Sequence, residues 1–297
     1  MDSLSETTRV QLFLHRLIQD TAEERTRSWL AQQEEKLRTG FSERVFYLSF
    51  GMVPRFVSKQ SLVLDKARPV SDSPSEPDHR LDLEDLRQAV RTYLLLLLPE
   101  NEVTTRLSIL GRLLETADID EQVTVYRSLP LFSHPKSLTS LVTNGLRTNI
   151  TLVFDAIALR NPYPARFLDE AAWNQLVLKA VFMERPLYLI VDADKRANST
   201  LARILVDFAH ERWAAGRTVT PELWRFVAPY LDASHQPDLE RVIASENPWE
   251  QAAGVLACEQ SHQPALQSLA EYARGQPAIS TDKLNWQRIG EACATDR

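Results

Sequence analysis

The sequence predicts an all-α protein, a helical bundle or α-solenoid of paired helices, on three observations. Glycine is scarce, with 8 in 297 residues. Apolar residues recur at intervals of three and four along most of the chain, the spacing that lines one face of an α-helix. Runs in which apolar and polar residues alternate, as a half-buried strand requires, are nearly absent.

The first helix is expected over Thr8 to Gln19, with Val10, Leu14, Leu17 and Ile18 on one side. A second is expected over Thr21 to Arg38, where Trp29, Leu30 and Leu37 interrupt a charged surface and Gly40 suits the C′ position. Ser42 introduces a third over Arg44 to Phe56, more deeply buried because Val45, Phe46, Leu48, Phe50 and Met52 cover most of its circumference. Pro69, Pro74 and Pro77 stand in a Ser/Asp-rich run and make 58–80 a loop or linker. Asp82 is placed to cap a helix over Leu83 to Leu98, which Pro99 ends. Shorter helices follow over Glu102 to Thr116, Asp120 to Ser128, Ser137 to Leu146 and Thr148 to Leu159.

Two apolar runs, Leu168 to Phe182 and Asn198 to Ala215, read as a central helix pair joined by a turn carrying Asp192, Asp194, Lys195 and Arg196. The tail reads as helices over Pro221 to Leu231, Asp238 to Ala244, Pro248 to Cys258, Pro264 to Arg274 and Asp282 to Cys293. Its phrase LERVIASENPWEQAAGVLACEQSHQPALQSLAEY has alanine-rich contact faces and Pro-started partners. That pattern resembles HEAT or armadillo repeats, whose units bury their apolar faces on one another, although irregular bundles also pair helices through small residues. The expected organisation is therefore N-terminal helices over 1–57, the linker 58–80, and a repeat-like core over 81–297.

Composition removes several classes of function. With a formal charge of -6 and a pI near 5.6, the chain lacks the basic surface that displaces counterions from nucleic acid, so no nucleic-acid partner is expected. Cys258 and Cys293 have neither zinc-site nor disulfide spacing, which points to a reducing compartment. The N-terminus has no basic region leading into an apolar one. Tyr93 to Leu98 falls far short of the roughly 20 apolar residues of a spanning helix. A cytoplasmic protein without a membrane span of its own is expected. No P-loop, dinucleotide fingerprint, nucleophile elbow or cysteine pair occurs, so no cofactor, metal site or catalytic set is expected.

The candidate polar site lies between Asn161 and Trp213. On the second central helix, Arg203, Asp207, His210 and Glu211 share the polar arc. His210, three residues from Asp207, is either an imidazole oriented by a carboxylate or the border of a solvated, ion-paired face. His210-Glu211 is not a zinc-protease motif, because Ala214 stands where the second histidine belongs. Asn174 falls between Leu178 and Val181 on an apolar helix, where it either meets a ligand or satisfies a neighbouring turn. Lys179 either snorkels to water or is a desolvated amine. Tyr163 and Phe167 follow the rigid turn Asn161-Pro162-Tyr163-Pro164 and either floor a pocket or pack in the core.

The phrases NPYPAR at Asn161 to Arg166, AAWNQLVLKAVF at Ala171 to Phe182, RAN at Arg196 to Asn198, LARILVDFAHERWAAGR at Leu201 to Arg217 and PELWR at Pro221 to Arg225 resemble the EboA family. The resemblance is densest over Asn161 to Pro229. It implies a protein from a bacterial and algal gene cluster for a secondary metabolite. Such clusters also encode a UbiA-type membrane prenyltransferase, a sugar-phosphate-cyclase-like enzyme and a metal-dependent hydrolase-like protein, and are associated with making a metabolite or moving it across the inner membrane. No catalytic residues come with the resemblance. The matched positions Tyr163, Trp173, Asn174, Lys179, Arg196, Asp207, His210, Glu211 and Trp213 are ligand-pocket candidates by resemblance. The expected function is a non-catalytic accessory or adaptor that binds other Ebo-cluster proteins, including the prenyltransferase, from the cytoplasm or peripherally at the inner membrane. The alternative is a carrier or enzyme for a prenylated or cyclitol-like small-molecule metabolite, with its pocket between the Trp173 and His210 helices.

Overall fold

Helix starts are where short polar side chains act most directly on the backbone, because the first turn leaves N–H groups that only a cap can satisfy. In the computed structural model, which describes residues 5–62, 83–99, 102–274 and 284–295, such caps set several of the boundaries. The fold is all-α: helix accounts for 76% of it, and no strand occurs among the described residues. An isolated bridge between Ser61 and Asp85 is the only extended pairing among them. No helix of the described residues is long and apolar enough to cross a membrane.

The chain divides into two units, 1–157 with 161–167 and 158–160 with 168–297. The first begins with α1 (Glu6–Thr21), capped by Ser5, whose side chain accepts from the Thr8 amide. Then come α2 (Glu24–Thr39), α3 (Glu43–Gly51) and α4 (Val53–Phe56). The single helix expected over Arg44 to Phe56 is in fact two, because Pro54 near the start of α4 cannot donate a backbone hydrogen bond to the turn before it. Nor is α3 buried all round. Leu48 is 54% exposed, and Val45 and Met52 are half-buried. Gly40 caps α2 with φ -162°, extended backbone that any residue can adopt, so the αL stop expected there does not form.

Asp85 caps α5 (Leu86–Leu96), accepting from the Gln88 amide at 2.9 Å. The expected cap Asp82 and most of the expected linker lie outside the described residues. On either side of that gap, the Leu62 amide donates to Glu84 O and the Leu86 amide to Gln60 O. The unit continues through α6 (Val103–Thr116), α7 (Ile119–Ser128, with a complete capping box from Asp118 and Glu121), α8 (Thr139–Gly145), α9 (Thr151–Ala158) and α10 (Tyr163–Phe167). Its core includes Arg91, 2% exposed, whose Nη2 meets Glu121 at 2.9 Å and whose guanidinium lies over Phe50.

The second unit contains α11 (Glu170–Phe182), α12 (Ala193–Arg196), α13 (Ser199–Ala214), α14 (Trp224–Val227), α15 (Gln236–Ile243), α16 (Pro248–Gln260), α17 (Pro264–Arg274) and α18 (Trp286–Thr295). Asp169 caps α11 and Asn198 caps α13. The helix expected over Pro221 to Leu231 is instead a 3₁₀ turn, one short α-turn and a second 3₁₀ turn, with Pro221 and Pro229 removing donors that a continuous helix would need. In the tail, α16 packs against α15, α17 and α18. Small residues permit this: Ala252, Ala253 and Ala257 are buried, and a Cβ at Gly254 would stand 2.8 Å from Ile243 Cγ1 and 3.3 Å from the Ile243 nitrogen.

Within α16, Cys258 is fully buried and burial pushes its thiol up to about 12, whereas Cys293 is only half-buried. The thiolate is the reactive form, so Cys258 is held unreactive by both access and ionisation. In folded protein near neutral pH, Ellman's reagent is therefore expected to titrate no more than one thiol quickly, the second appearing only on unfolding. Two fast thiols in the folded state would contradict this packing.

Candidate functional site

The nine candidate residues fall into three sets of contacts, one in the first unit and two in the second. Tyr163 lies in the first unit, where Asn161 ties the turn: its side-chain amide donates to Tyr126 O at 3.1 Å and Ala156 O at 2.9 Å, and its Oδ1 accepts from the Tyr163 amide at 2.9 Å. The Tyr163 hydroxyl donates to Pro135 O at 2.6 Å, its ring sits 4.9 Å from that of Phe167, and burial raises the phenol. These groups pack the core.

A second set surrounds the start of α13. Asn198 Nδ2 donates to Asn174 Oδ1 at 2.8 Å, Asn174 Nδ2 donates back to Asn198 Oδ1 at 3.2 Å, and that same oxygen caps α13 by accepting from the Leu201 amide at 2.9 Å. The buried amide on α11 is thus satisfied by the amide that opens α13. Beside it Arg196 reaches Leu168 O at 3.0 Å and lies 4.9 Å over the ring of Trp173, which is fully buried and whose Nε1 finds no acceptor among the described residues. Arg225 holds Asp194 through two contacts of 2.5 and 2.6 Å, and Lys195 pairs with Asp192 at 2.7 Å. Lys179 is half-buried, and desolvation lowers its ammonium from the ordinary lysine value.

The third set lies at the other end of α13. His210 Nε2 meets Asp238 Oδ1 at 2.8 Å, and the Arg241 guanidinium lies 4.6 Å over the ring of Trp213, which also stacks on Trp224 at 6.1 Å. His210 and Trp213 are three apart on α13, and Asp238 and Arg241 are three apart on α15, so two matched rungs join the helices. Asp207 and Glu211 are exposed and make no ion pair among the described residues. His210 is twelve residues beyond Asn198, about 18 Å along the helix. Asn174 and His210 therefore do not face a common space, and the pocket expected between their helices is not built from them.

Asp238 and Arg241 are absent from the candidates read from the sequence. Their only local sign is opposite charge at i, i+3 on a short helix, a pattern that solvated helices share. In the first unit, α2 and α3 leave a separate cleft of about 530 Å³. Arg25, Ser28, Trp29, Gln32, Gln33 and Lys36 line it from α2, at the spacing of a single helix face, with Val45, Leu48 and Ser49 opposite. Trp29 and Phe56 stack at 5.0 Å on its floor, and no carboxylate of the described residues lines it.

Because each asparagine amide completes the other, Asn174→Leu strands the polar edge of Asn198 and is expected to cost about 1 to 3 kcal/mol. Asp207→Ala, on the exposed face, is expected to stay within about 0.5 kcal/mol of the parent. Urea denaturation followed by circular dichroism checks both. An Asn174→Leu protein as stable as the parent would show that the amide pair contributes nothing to the fold.

No curated protein and no solved structure matches the chain. A family model described as metabolite traffic protein EboA matches residues 10–228, which covers the first unit from early in α1 and the second as far as α14. The match spans well over half of the sequence and includes all nine candidate positions, so the chain belongs to the EboA family.

Proposed function

We propose that this protein is a non-catalytic accessory of the Ebo metabolite pathway and works by binding a protein partner from the same pathway. The cleft between α2 and α3 carries this reading. From Arg25 to Lys36 it runs eleven residues, about 16 Å or three helical turns. It has an aromatic floor, an exposed Leu48, a cation at either end and, among the described residues, no lining carboxylate. Those dimensions and charges suit one occupant, an amphipathic helix of the partner that lays apolar side chains on Trp29 and Leu48 and presents acids to Arg25 and Lys36. Family membership supports the pathway. The absence of a membrane-spanning helix among the described residues fits a protein that meets a membrane partner such as the UbiA-type prenyltransferase peripherally, from the cytoplasm. The packed helices α15 to α18 are read here as the HEAT-like, solenoid part of the molecule.

The test is a tagged pull-down from cells that express the whole gene cluster. At least one cluster protein is expected to co-purify, and Leu48→Glu or the pair Arg25→Glu and Lys36→Glu is expected to lower its recovery at least about tenfold, because each variant places a charge against the proposed contact. All these side chains are at least partly exposed, so the melting temperature should hardly move. Recovery of no cluster protein, with the others shown to be present, would count against the proposal, as would recovery that ignores the substitutions.

A further inference from the structure

A separate feature of the second unit points to a small ligand. Trp213, Trp224, Arg217, Arg241, Ser245 and Glu250 surround a cleft of about 340 Å³, at the lower end of the range for ligand pockets. Several arginines of this unit have acceptors, Arg225 in Asp194, Arg274 in Glu259 and Arg212 in Thr218 O, while Arg203 on the exposed face of α13 has none among the described residues. The guanidiniums of Arg217 and Arg241 have none among the described residues. Arg241 is nevertheless held in place over the indole of Trp213 at 4.6 Å, and Trp213 is itself braced by Trp224 and His210. A guanidinium fixed by stacking keeps its fork of N–H donors available and has less rotamer freedom to lose on binding. Arg217 follows Gly216, whose φ of 67° turns the chain sharply at the end of α13 and brings Arg217 to the same cleft.

The opposing charge is limited. Glu250, which also lines the cleft, already accepts from the Ser245 hydroxyl at 2.5 Å, so among the described residues the lining holds two cations against one engaged carboxylate. A neighbouring cleft of about 310 Å³ shares Thr218, Val219 and Glu250 and adds Val181, Phe208 and Trp249. Thr220 also lines it, and its Oγ1 is buried without a hydrogen-bond partner among the described residues. A hydroxyl left this way costs free energy that a ligand's polar group would recover.

We infer that the cleft beside Trp213 is a binding site for the oxyanion of a small organic metabolite, a phosphate or carboxylate gripped by Arg241 and Arg217, with the ligand's body in the adjoining cleft by Phe208 and Trp249. Arg241 lies beyond residues 10–228, so the site combines a helix inside the family match with one outside it. It is independent of the α2–α3 groove, which lies in the other unit.

Isothermal titration of the full chain with sodium pyrophosphate and with citrate, against sodium chloride of equal ionic strength, tests this. At least one of the two is expected to bind, with Arg241→Ala and Arg217→Ala each weakening it at least about tenfold, the scale of a lost charge-assisted hydrogen bond. Arg241→Lys, which keeps the charge but not the fork, is expected to weaken binding too, and Arg203→Ala on the exposed face of α13 to leave it unchanged. Arg217 is exposed, so its variant remains informative if Arg241→Ala proves unstable. The inference is overturned if neither probe binds above the chloride control, or if Arg217→Ala and Arg241→Ala bind like Arg203→Ala. It is also overturned if only phosphatidylglycerol vesicles bind in an Arg241-dependent way, since the site would then read a lipid headgroup.

Discussion

The reciprocal amide pair between Asn174 and Asn198 is the constraint on which the second unit depends. Asn174 is buried on a helix that is otherwise largely apolar, where an unmatched amide would be costly, and its match is the residue that caps α13. One side chain thus satisfies a buried neighbour and fixes where the next helix begins. Because α13 is a regular helix of 16 residues, fixing its start also fixes the azimuth of every side chain along it. Trp213 is thereby aimed at Trp224 and Arg241, and His210 at Asp238. The polar groups that look functional on a helical wheel are divided by this geometry into those that build the helix and those that its far end presents.

The same division explains the chemistry available. Around Asn174 the amide hydrogen bonds are made between protein groups, and Arg196 combines a carbonyl with the face of Trp173, whose Nε1 finds no acceptor among the described residues. Around Trp213 the reverse holds: aromatic packing supplies rigidity, and the donors of Arg217 and Arg241 meet no acceptor among the described residues. Rigid placement with unmatched donors is the arrangement that favours recognition, because the ordering cost has been met before the ligand arrives. The α2–α3 groove of the first unit follows a related logic with apolar surface in place of hydrogen bonds. Its floor is fixed by the stacked Trp29 and Phe56, and its Leu48 is left exposed by the described residues. On the proposed reading, the first unit offers a surface to a protein and the second a site to a small anion.

Helical class was legible because 3.6-residue periodicity is a local property, and the helices around Leu14, Leu110 and Leu176 follow from it. The caps were hardly legible: Asp82 lies outside the described residues, Gly40 closes α2 without an αL turn, and Ser42 precedes α3 without a side-chain capping hydrogen bond. Asp85 and Asp169 act as caps within runs where other signals drew the boundary elsewhere, and Pro54 splits a run whose hydrophobicity reads as continuous. The fate of Asn174 was half legible: its burial follows from the wheel, and one of its two possible roles was a neighbouring turn, but the identity of Asn198 as partner needs a contact across 24 residues. Asp238 and Arg241 were not legible at all. Their meaning arises from matched i, i+3 spacing on two helices that only tertiary packing brings together, and nothing in either helix alone announces it.

The central claim is that α13 serves two separate ends, a structural one at Asn198 and a presenting one at Trp213. A double-mutant cycle between Asn174→Leu and Trp213→Phe, read as unfolding free energy in urea, tests it most directly. Independent groups should add, Asn174 on α11 meeting the start of α13 and Trp213 standing near its end, leaving a coupling energy within about 0.5 kcal/mol of zero. A coupling of about 1 kcal/mol or more would mean that the two ends act as one cluster, and the division proposed for the helix would be wrong.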